Sequence, residues 1–113
     1  MDKITANTWT ILQSIQTYAI NFWGDGYFSI NDKGNVTVKP DSKLETELDL
    51  YEIAQSLLEE RKLSFPVLVR FTDILQDRVK RLNQAFQKAC ANQGYQGKYT
   101  PIYPIKVNQQ GKV

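Results

Sequence analysis

The sequence predicts an α/β chain, or α+β if it is taken as a piece of a larger protein. It reads as an N-terminal helix and a β-hairpin, followed by one βαβ unit. Three observations carry this. Apolar residues recur at spacings of three and four before residue 22 and again between Leu75 and Cys90, the period of helices packed on one face. Two short strand-forming runs flank Asp32-Lys33-Gly34, a turn sequence. Two further apolar runs, Val67–Phe71 and Ile102–Val107, bracket the second helical stretch.

Taking the elements in order, residues 1–7 are polar and expected to fray. From Thr8, the residues Trp9, Ile11, Leu12, Ile15, Tyr18, Ala19 and Phe22 make one amphipathic stripe of about four turns, capped by Asn7 or Thr8. Gly24 and Gly26 stop that helix around Asp25. Tyr27–Asn31 and Asn35–Lys39 then form the hairpin, with Gly34 at the positive φ of its turn. Pro40–Leu48 is a polar linker, and residues 1–48 form the first region. Residues 49–113 form the second. Asp49 caps a helix, with Glu52 placed for a capping box and Leu50, Ile53, Ala54, Leu57 and Leu58 as its stripe. Adjacent Glu59 and Glu60 diverge by about 100° on a helix and cannot converge on one site. Pro66 opens a strand through Phe71. Thr72 or Asp73 caps a helix through residue 92, ended by Gly94.

Composition bounds the function. Of 113 residues, 42% are hydrophobic, which suits a folded chain rather than a disordered one. A net charge of +2 with interspersed signs, and no basic run with interleaved aromatics, argues against nucleic acid. No apolar run approaches the ~20 residues of a membrane span. With no histidine and one cysteine, the usual zinc ligand sets cannot form within one chain. The lone Cys90 suits a reducing cytoplasm and reads as a small buried hydrophobe. Neither a phosphate-binding glycine motif nor a serine-hydrolase or zinc-hydrolase motif occurs.

Chemistry concentrates in Tyr99-Thr100-Pro101-Ile102-Tyr103-Pro104-Ile105-Lys106-Val107-Asn108-Gln109-Gln110. It reads as a buried strand whose carboxyl end delivers Lys106, the edge where parallel α/β sheets keep their sites. Pro101 and Pro104 lack amide donors and restrict how it pairs. Arg70, near the end of the preceding strand, would share that edge and meet a phosphate, a substrate carboxylate or a protein acid.

The string from Tyr103 to Gln110 resembles the cofactor-lysine segment of the biosynthetic arginine decarboxylases, pyridoxal-phosphate enzymes of the alanine-racemase-like fold type. Trp23-Gly24-Asp25-Gly26-Tyr27-Phe28 and Arg70-Phe71-Thr72-Asp73-Ile74-Leu75, with Arg78, Val79, Arg81, Leu82 and Asn83 following, resemble the same family in the same order. The resemblance implies that residues 49–113 begin a TIM-type (β/α) barrel, which needs ~250 residues when complete. It also implies that Lys106 forms a Schiff base with pyridoxal 5'-phosphate, as both the catalytic and the cofactor-binding residue. The substrate would be L-arginine, the products agmatine and carbon dioxide, and the setting polyamine biosynthesis in the cytoplasm, with Mg2+ as a second cofactor. Partners would be the remainder of the decarboxylase or a complementing chain, within a homo-oligomer. The other expectation is a non-catalytic remnant or interaction module that binds no cofactor by itself. Either way the chain is expected to be one piece of a longer or split protein.

Overall fold

A computed structural model describes residues 8–40, 46–108 and 111. The chain divides into two compact units, Met1–Leu75 and Gln76–Val113.

The first unit begins with two short helices in place of the single long one expected. They are α1, Ile11–Thr17, and α2, Ile20–Trp23. Thr10, not Thr8, caps α1: its hydroxyl accepts the Gln13 amide, and the Gln13 side chain returns to the Thr10 amide. The other expected cap, Asn7, lies outside the described residues. Periodicity runs straight through Tyr18-Ala19, but Ala19 takes φ 51° and ends the first helix. A left-handed alanine costs roughly 1–2 kcal/mol. Burying Ile20 contributes about 1.5–3 kcal/mol and offsets it. The break also frees the Tyr18 carbonyl, which accepts the Trp23 indole N–H at 2.8 Å.

The hairpin forms as expected, with β1 at Phe28–Ile30 and β2 at Val36–Val38 in antiparallel register, Phe28 opposite Val38 and Ile30 opposite Val36. Gly34 takes φ 84° in its turn. A third strand, β3 at Leu48–Asp49, pairs with β2 and completes a sheet of order β1-β2-β3. The sequence reading placed Leu48 in a linker, because two residues carry no readable period; only their partner makes them a strand. Among the described residues, Tyr27, Val38 and Ile20 are the buried apolar ones, beside buried Thr37, whose hydroxyl donates to the Glu47 carboxylate. Helices α1 and α2 pack on β1, and α3, Leu50–Glu59, packs on β2 and β3.

Helix α4, Thr72–Asn92, continues into the second unit. It ends as Gly94 requires. Gly94 takes φ 62° and donates to the Ala91 carbonyl, and Tyr95 donates to the Cys90 carbonyl at 2.9 Å. Phe86 stacks on Tyr99 with ring centroids 4.2 Å apart.

Two expected strands are corrected. Residues 66–71 carry no strand assignment, and 98–104 are likewise irregular before a single 3₁₀ turn at Ile105–Val107. A strand exists by its ladder, and a parallel strand needs neighbours on the same sheet. Among the described residues neither run has one. The helix of the expected βαβ unit is thus present, while the sheet observed is a small antiparallel one. No helix among the described residues is long and apolar enough to cross a membrane.

Candidate functional site

Lys106 sits on the 3₁₀ turn, not at the mouth of a strand. Pro104 cannot donate, but its carbonyl accepts the Val107 amide at 3.0 Å and closes the turn. The lysine is exposed, and so are Ile102, Tyr103 and Val107 around it. Large exposed apolar side chains thus flank an exposed amine. Arg70 belongs to the first unit and Lys106 to the second. Cys90 is a free, half-buried thiol. Glu59 ends α3 and Glu60 caps it, both exposed.

Two apolar hollows lie among the described residues of the first unit. The larger, about 330 Å³, is lined by Leu50, Ile53, Ala54 and Leu57 of α3 and by Phe28 of β1. Its remaining wall is Phe65, Val67, Val69 and Phe71. Every second residue of 65–71 lines it, the period of an extended chain. The segment keeps the side-chain alternation of the expected strand while lacking its ladder. Lys106 lines neither hollow.

One polar cluster escaped the sequence reading. The Asp49 carboxylate accepts the Tyr51 and Glu52 amides through Oδ1, capping α3, and the Asn31 and Asn35 side-chain amides at 2.8 and 2.9 Å through Oδ2. Asn31 in turn accepts the Lys33 and Asn35 amides inside the hairpin loop. The expected capping box is replaced: Asp49 caps, but the Glu52 side chain pairs with Lys33 Nζ at 2.8 Å. The asparagines at both ends of the hairpin loop were the available signal. The sequence places them at the ends of the two hairpin strands, and nothing local shows that both point at one carboxylate.

These contacts set the pH response. The Asn35 amide, chiefly, holds the Asp49 carboxyl below its ordinary range, opposed by desolvation and aided by the Asn31 amide and the two backbone amides. A lowered folded pKa stabilises the fold above the ordinary carboxylate pKa of about 4, and that contribution is lost as pH falls through the lowered value. The denaturation midpoints of the parent chain and of Asp49→Asn should therefore differ at neutral pH and converge on acidification. A difference that persists in acid would remove the carboxylate from this role. Lys33 runs the other way: its bond to Glu52 and that carboxylate's charge raise its pKa. Its contribution is full below the ordinary lysine pKa and is lost as pH rises through the raised one.

No protein-family model matches the chain. It is 51% identical over 105 residues to the biosynthetic arginine decarboxylase of Chromobacterium violaceum, taking in 93% of this chain and 17% of that protein. The relative from Thermosynechococcus vestitus is 51% identical over 104 residues, covering 92% of this chain and 16% of its own length. Over nearly its whole length the chain is thus homologous to one part of the biosynthetic arginine decarboxylases. The decarboxylase of Pseudomonas aeruginosa extends the match to 98% of the chain at 50% identity. This arginine decarboxylase homologue spans about one sixth of the length of the curated relatives it matches.

The residues can be set against the pyridoxal phosphate that the family resemblance implies. An exposed primary amine on a short turn has the chemistry of a cofactor anchor. It is open to solvent, however, rather than desolvated inside a pocket. The resemblance assigns this chain neither a phosphate cradle nor an acid for the pyridine nitrogen. The decarboxylase homologue thus fits the anchoring part of the site and does not by itself build the rest. Among the described residues, no group of three or more His, Cys, Asp or Glu side chains could hold a metal ion.

Proposed function

We propose that this chain is the part of a biosynthetic arginine decarboxylase that supplies its cofactor lysine, Lys106. The enzyme would convert L-arginine to agmatine and carbon dioxide, a step in polyamine biosynthesis, in the cytoplasm. The observation that carries the reading is about 50% identity across nearly the whole chain to proteins of that name. When bound, pyridoxal phosphate supplies the electron sink for loss of carbon dioxide. What this chain would contribute is an accessible amine and an apolar collar of Ile102, Tyr103 and Val107. Covering that collar would exclude water, and desolvation would favour the neutral, nucleophilic amine. The cover would come from the remaining five-sixths of the relatives' length, which would also complete the TIM-type barrel begun at residues 49–113. Mg2+ and assembly into a homo-oligomer belong to the same reading.

A second reading is favoured by the solvent-open position of Lys106: this polypeptide by itself is a non-catalytic module that holds no cofactor. One complementation experiment separates the two. The chain is co-expressed with a polypeptide matching the rest of the Chromobacterium violaceum enzyme, and agmatine is measured with arginine and pyridoxal phosphate supplied. Agmatine above either half alone is the expected result. A stable complex with bound cofactor and no agmatine would overturn the enzyme reading.

A further inference from the structure

Lys106 is reached from α4 along an irregular arm, and a ring contact ties the base of that arm back to the helix. Phe86 of α4 and Tyr99 are thirteen positions apart, yet their rings lie 4.2 Å apart and within 6° of parallel. The chain turns back at Gly94, φ 62°, to bring them together. Among the described residues from Ala91 to Pro104, Tyr99 alone is half-buried and every other residue is exposed. Parallel aromatic faces at this separation attract beyond the area they bury.

The seven steps from Tyr99 to Lys106 are stiff. Pro101 and Pro104 have φ locked near −65°. Thr100 and Tyr103, each before a proline, are confined to extended backbone. The Pro104 carbonyl then accepts the Val107 amide and closes the turn that carries Lys106. Ile102 is left as the one unrestricted joint before that turn. A stiff arm transmits the placement of its base to its tip. With Tyr99 docked on α4 the amine is confined; with Tyr99 released it sweeps an arc.

We propose that Tyr99, stacked on Phe86, is a positioning residue for Lys106. The catalytic consequence rests on the reading of Lys106 as the cofactor anchor. The confinement of the arm does not.

Spin labels on Lys88→Cys of α4 and Lys106→Cys, in a Cys90→Ser background, measure that confinement without any chemistry. The chain with Phe86 and Tyr99 intact should give one narrow distance distribution. Tyr99→Ala should lose the narrow peak, while Tyr99→Phe, which keeps the ring, should retain it. Phe86→Ala should lose it equally, and the double alanine variant should lose no more, because both changes remove one contact. Far-UV circular dichroism should show α4 unchanged throughout. A narrow peak that survives both single alanine changes would overturn the proposal, as would a broad distribution with both rings present. In the complemented enzyme, Tyr99→Ala should lower kcat at least about tenfold with little change in the KM for arginine, since misplacing a reacting group by about 1 Å costs up to about 10²-fold. Tyr99→Phe should restore the rate. An unchanged kcat in Tyr99→Ala would overturn the positioning role. If the parent pair forms no agmatine, the enzyme reading falls alone, because the distance distribution still decides whether Tyr99 places residue 106.

Discussion

In the complemented enzyme, Lys106→Ala should reduce agmatine formation on the order of 10³-fold or more while leaving the chain folded. Removing a residue that makes a covalent bond in the reaction costs this much in other enzymes, because no neighbour replaces the lost nucleophile. Folding should survive because Lys106 is exposed and its turn is closed by backbone atoms alone. Lys106→Arg is the sharper variant. It keeps the positive charge, but a guanidinium does not deprotonate in a protein and cannot act as the nucleophile. If Lys106 served only as a charge for an anionic group, Lys106→Arg would retain most of the activity. As the anchor it should fail as badly as Lys106→Ala, and added methylamine should partly restore the alanine variant and not the arginine one. Borohydride reduction with peptide mapping gives a second readout, in which the cofactor mass is found on the peptide holding Lys106 and vanishes in both variants. Retained activity in Lys106→Arg would move the anchor elsewhere.

What the sequence reveals here depends on how local the determining interaction is. The hairpin is readable because Asp32-Lys33-Gly34 fixes its turn from within, and the end of α4 because Gly94 takes its positive φ whatever surrounds it. Helix α3 follows from its own stripe and its Asp49 cap. Interactions between distant segments are not readable in this way. Strand β3 exists only opposite β2, ten positions back from Leu48 to its partner Val38 and twelve from Asp49 to Thr37, and its two residues have no pattern of their own. Residues 65–71 have strand-forming residues and strand-like alternation, yet no ladder, since composition cannot provide a neighbour. Lys106 is the limiting case. The role proposed for it rests only on a string resembling a family, and its position on a 3₁₀ turn in place of a strand end is not legible at all.

Gly24→Ala should be among the most destabilising single-methyl additions in the first unit, for a reason the sequence conceals. Gly24 and Gly26 look alike as helix-stop glycines, but the structure uses them differently. Gly26 has φ 79° and open space around it, so a side chain there meets only the backbone preference against that region, roughly 1–2 kcal/mol. Gly24 has an ordinary helical φ of −70° and lacks room instead. A Cβ there would lie 2.5 Å from the Ile20 carbonyl oxygen and 2.9 Å from that of Phe28. Both obstacles are backbone. The first already accepts the Gly24 amide at 2.8 Å, and the second belongs to β1, which is paired to β2. Neither can swing aside as a side chain would, so α2 or the start of β1 must shift, and the buried Ile20 and Tyr27 shift with them. Overpacking of this kind costs about 1–3 kcal/mol, and immovable neighbours place it at the upper end. Urea unfolding of Gly24→Ala, Gly26→Ala and the parent chain should therefore rank Gly24→Ala lowest. A loss below about 0.5 kcal/mol, the range of an unconstrained surface change, would mean that α2 and β1 do not approach this closely.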